Sequence, residues 1–424
     1  MGRQLARQVI EALRSGIPPQ RGVSLYSVGD ERLIEGIRTH HLSNIKENGI
    51  IRFVSGSWGS GKTHFFRLLR EVAFTENCLV SNVQLNKDDA AFNRFERIFY
   101  SILRFISAPS NSENTSEVEI APFGRVLKET LIYLSKGSYI SSDSITTFEC
   151  DRAIQKLNAD EGIDSDFKRM IAHYWKTFLP EFYDSSIRDQ RRQEILQWFS
   201  GEGTISTYKA IFSVTKIPSK DNALIMLQSL SAFVSFSGYR GLVVLFDEAE
   251  MTYSAMRKSA LKDAFGNLRI LIDTVENLRG IFLVFATTPD FYTDPRHGIV
   301  TYGALAGRIG KPQQKPPRSI DKIWNFDEVS TNLANYQDVA NKIRDIYIIV
   351  EPDAATRLPS VTDINSFVAQ LFSEHSSVSG VRFWRVLVAA VIGYFDDHAD
   401  DETDGGVRSV RRVYRDIMER LSEE

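Results

Sequence analysis

Short runs of consecutive apolar residues recur along the chain, each bounded by polar or glycine-rich stretches. Uninterrupted runs of this kind are typical of parallel strands that are covered on both faces. They predict strands at 50–54, 241–246 and 280–286, and an alternating stretch at 78–85 predicts another. A fifth candidate lies at 323–326. The pattern therefore predicts an α/β fold built on a parallel sheet.

Apolar residues at helical spacing predict helices before, between and after these strands. The first covers residues 3–14 and ends at a Gly-Ile-Pro-Pro sequence, and the second covers 29–47. The stretch 88–220 is predicted to be mostly helical, and the pattern is helical again from residue 335 onward. Because nothing repeats at a fixed period, a solenoid is not expected.

A glycine-rich turn joins the first predicted strand to a predicted helix. It consists of Gly56, Ser57, Trp58, Gly59, Ser60, Gly61, Lys62 and Thr63, and His64 follows it. In this phosphate-loop pattern, backbone N–H groups wrap a phosphate, the lysine neutralises its oxygens and the hydroxyl binds Mg²⁺. The helix N-terminus adds its dipole. The alternative is an ordinary turn before a core helix, but the flanking strand and helix favour nucleotide binding.

Two acidic residues, Asp247 and Glu248, follow the third predicted strand. Carboxylates at the C-terminal edge of a parallel sheet lie where open α/β folds bind ligands. We assign Asp247 to the Mg²⁺ shell, through water, and Glu248 to polarising the water that attacks ATP. The alternative is an acidic pair that caps the next helix. Together with the phosphate loop, the pair favours an ATPase.

Further polar residues are candidates for sensing and for charge stabilisation during hydrolysis. Thr287 or Thr288, at the end of the fourth predicted strand, is a candidate γ-phosphate sensor, unless the pair only ends the strand. Phosphoryl transfer also needs a cation, often an arginine from a neighbouring subunit. Arg308 is the first candidate and Arg318 the second, with a solvated surface charge as the alternative for each.

Composition and charge narrow the class of protein. The chain has 424 residues, 51 Lys+Arg against 54 Asp+Glu and a net charge of −3, which is typical of a soluble globular protein of two or three domains. No apolar run reaches the roughly 20 residues that span a bilayer. Two cysteines and seven histidines form no metal-type spacing. We expect a cytoplasmic protein without a membrane segment.

Because the net charge is slightly negative, any contact with DNA requires a local basic face. Two arginine groups are candidates: Arg408, Arg411, Arg412 and Arg415, which helical spacing places on one face, and the cluster Arg188, Arg191 and Arg192. Either face can follow a phosphate backbone. The alternative is a solvated face that pairs with nearby acids.

These residues together resemble a known family, the BREX-type ATP-binding proteins of the AAA+ superfamily, and in particular its shorter BrxD-like members. The matching segments are ALRSGIPP at 12–19, VG at 28–29, GSGKTHF at 59–65, WFSGE at 198–202, NAL at 222–224, GYRGL at 238–242 and DEAE at 247–250. The resemblance therefore extends over almost the whole chain.

The resemblance implies an AAA+ core with a five-stranded parallel sheet in the order 5-1-4-3-2, a helical lid, and a homo-oligomeric ring or filament with nucleotide between subunits. It also implies a role in anti-phage defence beside a helicase-like protein. By position, the resemblance implies that Lys62 and Thr63 belong to the phosphate loop and that Asp247 and Glu248 belong to the acidic strand edge. It also implies that Thr287 or Thr288 senses the nucleotide from the end of a strand. The nucleotide-sensing arginine of the lid would be Arg382 or Arg385.

We therefore expect an N-terminal helical segment over the nucleotide base at 1–48, an ATPase core at 49–87 and 221–330, a helical insertion at 88–220 and a lid domain at 331–424. The expected function is ATP-driven assembly that loads, recruits or remodels partners on DNA. One alternative is a slow-cycling, nucleotide-dependent switch or scaffold that signals to an effector. Another is a structural partner that holds nucleotide to complete its fold.

Overall fold

A mixed six-stranded sheet lies at the centre of the protein. The computed structural model describes residues 2–86, 91–109, 122–139, 144–248, 256–329, 332–375, 383–399, 410, 412–415 and 417. The strands are β1 (Ile50–Ser55), β2 (Leu79–Gln84), β3 (Ile106–Ser107), β4 (Leu242–Asp247), β5 (Ile281–Thr287) and β6 (Ile323–Asn325). Their order is β3-β2-β4-β5-β1-β6. Five strands are parallel, and β3 pairs antiparallel with β2.

The expectation of five parallel strands in the order 5-1-4-3-2 is wrong in strand number and in numbered order. The difference comes from β3, whose two residues pair with Val80 and Ser81 at the edge of the sheet. So short a strand directly after a helix carries no periodicity of its own, and it forms because β2 offers it a free edge. Because β3 is counted as a strand, the number of each later strand in the order rises by one.

Both faces of the sheet are buried, which explains the continuous apolar runs. Along β5, Ile281, Leu283 and Phe285 belong to one hydrophobic cluster. The alternate residues Phe282 and Val284 belong to a second cluster on the opposite face. Alternation along a strand thus distributes one apolar run between two cores.

Helices cover both faces. They are α1 (Arg3–Arg14), α2 (Glu31–Ile37), α3 (Lys62–Thr75), α4 (Phe95–Arg104), α5 (Pro122–Lys136), α6 (Thr147–Ala159), α7 (Ser165–Lys176), α8 (Ser185–Phe199), α9 (Ile205–Phe212), α10 (Ala223–Phe236), α11 (Lys258–Val275), α12 (Pro289–Thr293), α13 (Gly303–Ile309), α14 (Leu333–Val350), α15 (Val361–His375) and α16 (Phe383–Ala399). In the described part of the chain, none of them is both long and apolar enough to span a membrane.

Helices α4–α9, which form most of the predicted insertion, pack on the first face of the sheet together with α10. Their apolar residues share one cluster with the odd-numbered side of β5. Asp166 is fully buried among them, pairs with Arg169 and accepts hydrogen bonds from the backbone of Thr215 and Lys216. A buried carboxylate satisfied in this way ties α7 to the loop after α9.

The second face carries helices from both ends of the chain. α1 packs against α14 and α16 in the second hydrophobic cluster. Arg14 pairs with Asp396 at 2.8 Å, and Tyr347 donates a hydrogen bond to the same carboxylate. The N-terminal helix and the C-terminal helices thus form one layer beside the phosphate loop, and this layer shapes the candidate site.

Candidate functional site

The phosphate-loop sequence forms a tight turn between β1 and α3. Gly59 and Gly61 have φ values of 75° and 92°, a left-handed conformation that favours glycine. A side chain at Gly56 would collide with Ser60 Oγ. α3 begins at Lys62, so its unpaired N–H groups face the turn. The loop has the backbone geometry and the helix dipole that an anion requires.

Lys62 is buried inside this loop. Its Nζ donates hydrogen bonds to the carbonyl oxygens of Gly56 at 2.6 Å and Ser57 at 3.2 Å. The start of the loop is fixed by Asp327, whose carboxylate accepts from Ser57 N and Oγ. Ser60 Oγ is buried without a hydrogen-bond partner among the described residues. A bound phosphate would satisfy such a hydroxyl and draw the ammonium to itself.

The acidic pair lies beside the loop although it is distant in sequence. Thr63 Oγ1 donates to Asp247 Oδ2 at 3.2 Å across 184 positions of the chain. Asp247 Oδ1 also accepts from Glu248 N at 3.0 Å, and Glu248 has a positive φ of 57°. Gln84 Nε2 donates to Glu248 Oε2 at 2.8 Å. The strained backbone at Glu248 is held by these contacts on both sides.

The electrostatics of this pair fit a divalent cation. Burial raises the pKa of Asp247, and hydrogen bonds from Glu248 N and Thr63 offset part of that effect. A buried carboxylate of this kind is stabilised when a cation binds nearby. Mg²⁺ commonly uses one or two protein oxygens together with substrate phosphates and water. Thr63 can supply such an oxygen directly and Asp247 can act through water, and no group of three or more His, Cys, Asp or Glu side chains that could hold a metal ion occurs in the described part of the chain.

A cleft of about 430 Å³ extends from the phosphate loop towards the two ends of the chain. This volume is typical of small-molecule sites. Its polar end contains the loop residues 58–63, Arg67, Asp247 and Glu248. The rest of its described lining, which we call the apolar end, is largely apolar and includes Leu13, Ile17, Pro18, Val28, Tyr336 and Val339. The cleft therefore combines a polar phosphate site with an apolar lining that suits the faces of a base.

His64 connects the loop helix to the N-terminal segment. Its Nε2 lies 2.8 Å from Ser27 Oγ and its Nδ1 lies 3.4 Å from the hydroxyl of Tyr26. Burial lowers the pKa of His64 to about 4, so the ring is neutral at pH 7. Lys342 of α14 donates to the carbonyl of Ser27 at 2.8 Å. Segment 26–30 is thus held between the loop helix and the C-terminal helices.

The two candidate sensor threonines do not line this cleft. Thr287 is fully buried, and its hydroxyl contacts Val54 O at 3.1 Å and the hydroxyl of Tyr292 at 2.8 Å. Thr288 is 6% exposed and precedes α12 without capping it. The structure therefore places both at the end of β5, beside the phosphate loop rather than inside the cleft.

The candidate arginine fingers also lie outside the cleft. Arg308, on α13, forms an ion pair with Asp273 and donates to Ala304 O at 2.8 Å. Arg318 pairs with Asp321 at 3.0 Å. Both guanidinium groups are at the surface, so a role for either one in catalysis requires donation to another subunit.

Of the two candidate lid arginines, Arg385 on α16 lines the cleft, whereas Arg382 lies outside the described residues. Arg408 and Arg411 also lie outside the described residues; Arg412 and Arg415 are exposed. The second basic cluster is engaged within the chain: Arg188 donates to Tyr183 O, Arg191 pairs with Glu194 and Arg192 with Asp189. These contacts use only part of the N–H donors of the three guanidinium groups, so DNA contact through this cluster stays a prediction.

Sequence reasoning missed several residues that the fold brings to the site: Tyr26, Asp30, Arg67, Gln84 and Asp327. Gln84 could have been found, because it ends β2 in register with Asp247 on the neighbouring strand. Arg67 stands four residues after Thr63, hence on the same face of α3. Tyr26, Asp30 and Asp327 carry no such signal, since only tertiary packing brings them to the loop.

Comparison with known proteins agrees with this geometry. Neither the curated proteins nor the solved structures gave a match to the chain. A family model described as BREX system ATP-binding protein BrxC/D matches residues 2–422, nearly the whole chain. That description indicates ATP binding and implies a role in phage defence. The chain belongs to the family of BREX system ATP-binding proteins BrxC/D.

Proposed function

We propose that this protein hydrolyses Mg²⁺-ATP in the cleft and uses the cycle to assemble with copies of itself and act on partners at DNA. The observation that carries the proposal is the contact between Thr63 and Asp247, which joins the phosphate loop to the acidic strand edge. Phosphoryl transfer depends on positioning and charge, and these are the groups that supply both. Glu248 is adjacent to the metal-binding carboxylate.

In the proposed reaction, the loop amides and Lys62 bind the β- and γ-phosphates. Thr63 and Asp247 would hold Mg²⁺, which would supply positive charge against the negative charge that develops on the phosphates. Glu248 orients and polarises the attacking water. An arginine from a neighbouring subunit, with Arg308 as the first candidate, completes the charge stabilisation. Oligomerisation, a helicase-like partner and DNA contact through exposed basic residues such as Arg412 belong to this proposal.

Steady-state phosphate release tests the proposal with Glu248→Gln against the parent chain. We expect turnover to fall on the order of 100- to 10,000-fold, because the amide cannot act as a base. ATP binding should persist, since Gln at 248 can still accept the hydrogen bond from Gln84. An ATP-dependent assembly should accumulate, seen by light scattering. Hydrolysis at the parental rate would refute the role of Glu248.

One observation favours the slow-cycling switch as a second candidate. Gln84 Nε2 donates to Oε2 of Glu248 at 2.8 Å, and this contact engages one of the two carboxylate oxygens that could orient water. A partner that releases this contact would start hydrolysis. Slow basal turnover that Gln84→Ala accelerates would favour the switch, whereas fast basal turnover that Gln84→Ala slows would exclude it.

A further inference from the structure

Among the described residues that line the apolar end of the cleft, one is acidic, Asp30. It immediately precedes α2 and lines the cleft in the same segment as Tyr26 and Val28. This segment is fixed on both sides, by His64 on α3 and by Lys342 on α14. The position of Asp30 relative to the phosphate loop is therefore well defined by packing, and the residue belongs to the wall of the cleft.

The carboxylate of Asp30 has no hydrogen-bond or ion-pair partner among the described residues. Although the residue occupies the N-cap position of α2, its side chain does not cap the helix. The neighbouring hydroxyl of Ser27 is already used by Val23 O and His64. Burial raises the pKa of Asp30 to about 6, and the nearby Glu31 adds to this effect. A partly buried carboxylate without a donor is unfavourable, so a ligand that supplies one gains affinity.

The ligand's chemistry identifies that donor. If the triphosphate occupies the loop, the nucleoside extends towards the apolar end, which contains Ile17, Pro18, Val28, Tyr336 and Val339. Apolar and aromatic side chains suit the faces of a base better than the hydroxyls of a ribose. The donor on the edge of adenine is its exocyclic 6-amino group.

We propose that Asp30 accepts a hydrogen bond from the 6-amino group of adenine and thereby selects ATP over nucleotides with an oxygen at that position. This inference rests on the proposed binding of ATP in the cleft. A 6-oxo base places acceptor lone pairs against the carboxylate, which loses the hydrogen bond and adds repulsion. A hydrogen bond to a charged group corresponds to a preference on the order of 10- to 100-fold.

The test measures equilibrium binding to the full chain of four nucleotides: ATP, inosine triphosphate, purine riboside triphosphate, which has hydrogen at C6, and 2′-deoxy-ATP. We expect the parent chain to prefer ATP over both purine analogues by about 10-fold or more, with little effect of the 2′-hydroxyl. In Asp30→Asn, the preference for ATP over inosine triphosphate should fall to within about threefold, because an amide both donates and accepts.

Glu31→Gln is the matched control, since it removes a charge next to Asp30 while its amide oxygen can still accept from Gly29 N. It should keep the preference for ATP. If the parent binds ATP but binds the purine riboside analogue equally well, or if Asp30→Asn keeps the full preference, the role of Asp30 is refuted. If the parent prefers ATP over 2′-deoxy-ATP and Asp30→Asn loses that preference, Asp30 contacts the ribose. This result would also refute the role of Asp30 in binding the 6-amino group. If the parent binds no nucleotide, the proposed function itself fails.

Discussion

The substitution Asp247→Asn should weaken binding of Mg²⁺-ATP without lowering the stability of the ligand-free chain. The carboxylate accepts hydrogen bonds from Thr63 at 3.2 Å and from Glu248 N at 3.0 Å. An amide retains one acceptor oxygen but removes the buried charge. Burial raises the pKa of Asp247 in the folded chain, so its ionised form lowers the free energy of unfolding of the ligand-free chain at neutral pH. This lost free energy of unfolding is recovered as pH falls through the raised pKa. Ligand-free Asp247→Asn should therefore melt at the same temperature as the parent or higher.

The same substitution should weaken the binding of Mg²⁺-ATP to the chain. Loss of a group that orients metal-bound water typically reduces affinity about 10- to 100-fold. At a ligand concentration of about 100 times the parental Kd, binding stabilises the parent by about 2.7 kcal/mol; the variant should retain only about 0.4–1.4 kcal/mol. Thermal unfolding with and without Mg²⁺-ATP measures both effects. Asp290→Asn, an exposed aspartate on α12, is the control. Undiminished stabilisation of Asp247→Asn by Mg²⁺-ATP would refute its assignment to the metal.

Three further predictions concern other parts of the site. Lys62→Ala removes the loop ammonium, so ATP affinity should fall about 100-fold or more, and unchanged binding in a titration would contradict the loop's role. Arg308→Ala should slow hydrolysis without weakening ATP binding; mixing it with Glu248→Gln subunits should restore part of the turnover if the arginine acts across an interface, and no recovery would exclude that. Because the pKa of His64 is lowered to about 4, its contribution to stability is present above pH 6.5 and is lost as pH falls from 6.5 towards 4. His64→Gln should flatten that part of the stability profile, and an unchanged profile would contradict the buried neutral ring.

Much of the sheet could be predicted from sequence because its central strands are covered on both faces. The runs at 241–246 and 280–286 have the continuous apolar pattern of buried strands before a polar turn, and β4 and β5 form there. The two-residue strand β3 could not be predicted, since its pairing depends on a neighbour rather than on its own pattern.

The phosphate loop and the acidic pair can be predicted from the sequence, because their chemistry dictates residue types at fixed positions beside a strand or helix. The surroundings of these motifs were not. Thr287 is the last residue of β5, where a sensor is expected, but its hydroxyl donates to Val54 O in the neighbouring strand. Asp30 and Asp327 reach the site only because segments far apart in sequence pack beside the loop. The local sequence pattern predicts where a strand ends. The direction of a side chain and its contacts with distant segments can be read only from the folded structure.

A structure of Glu248→Gln with Mg²⁺-ATP tests the central claim most directly. We predict the triphosphate in the loop beside Lys62, a single Mg²⁺ between Thr63 and Asp247, and the base at the apolar end of the cleft. Nucleotide bound elsewhere, or a loop left empty at saturating ATP with Asp247 distant from the phosphates, would contradict the proposed site.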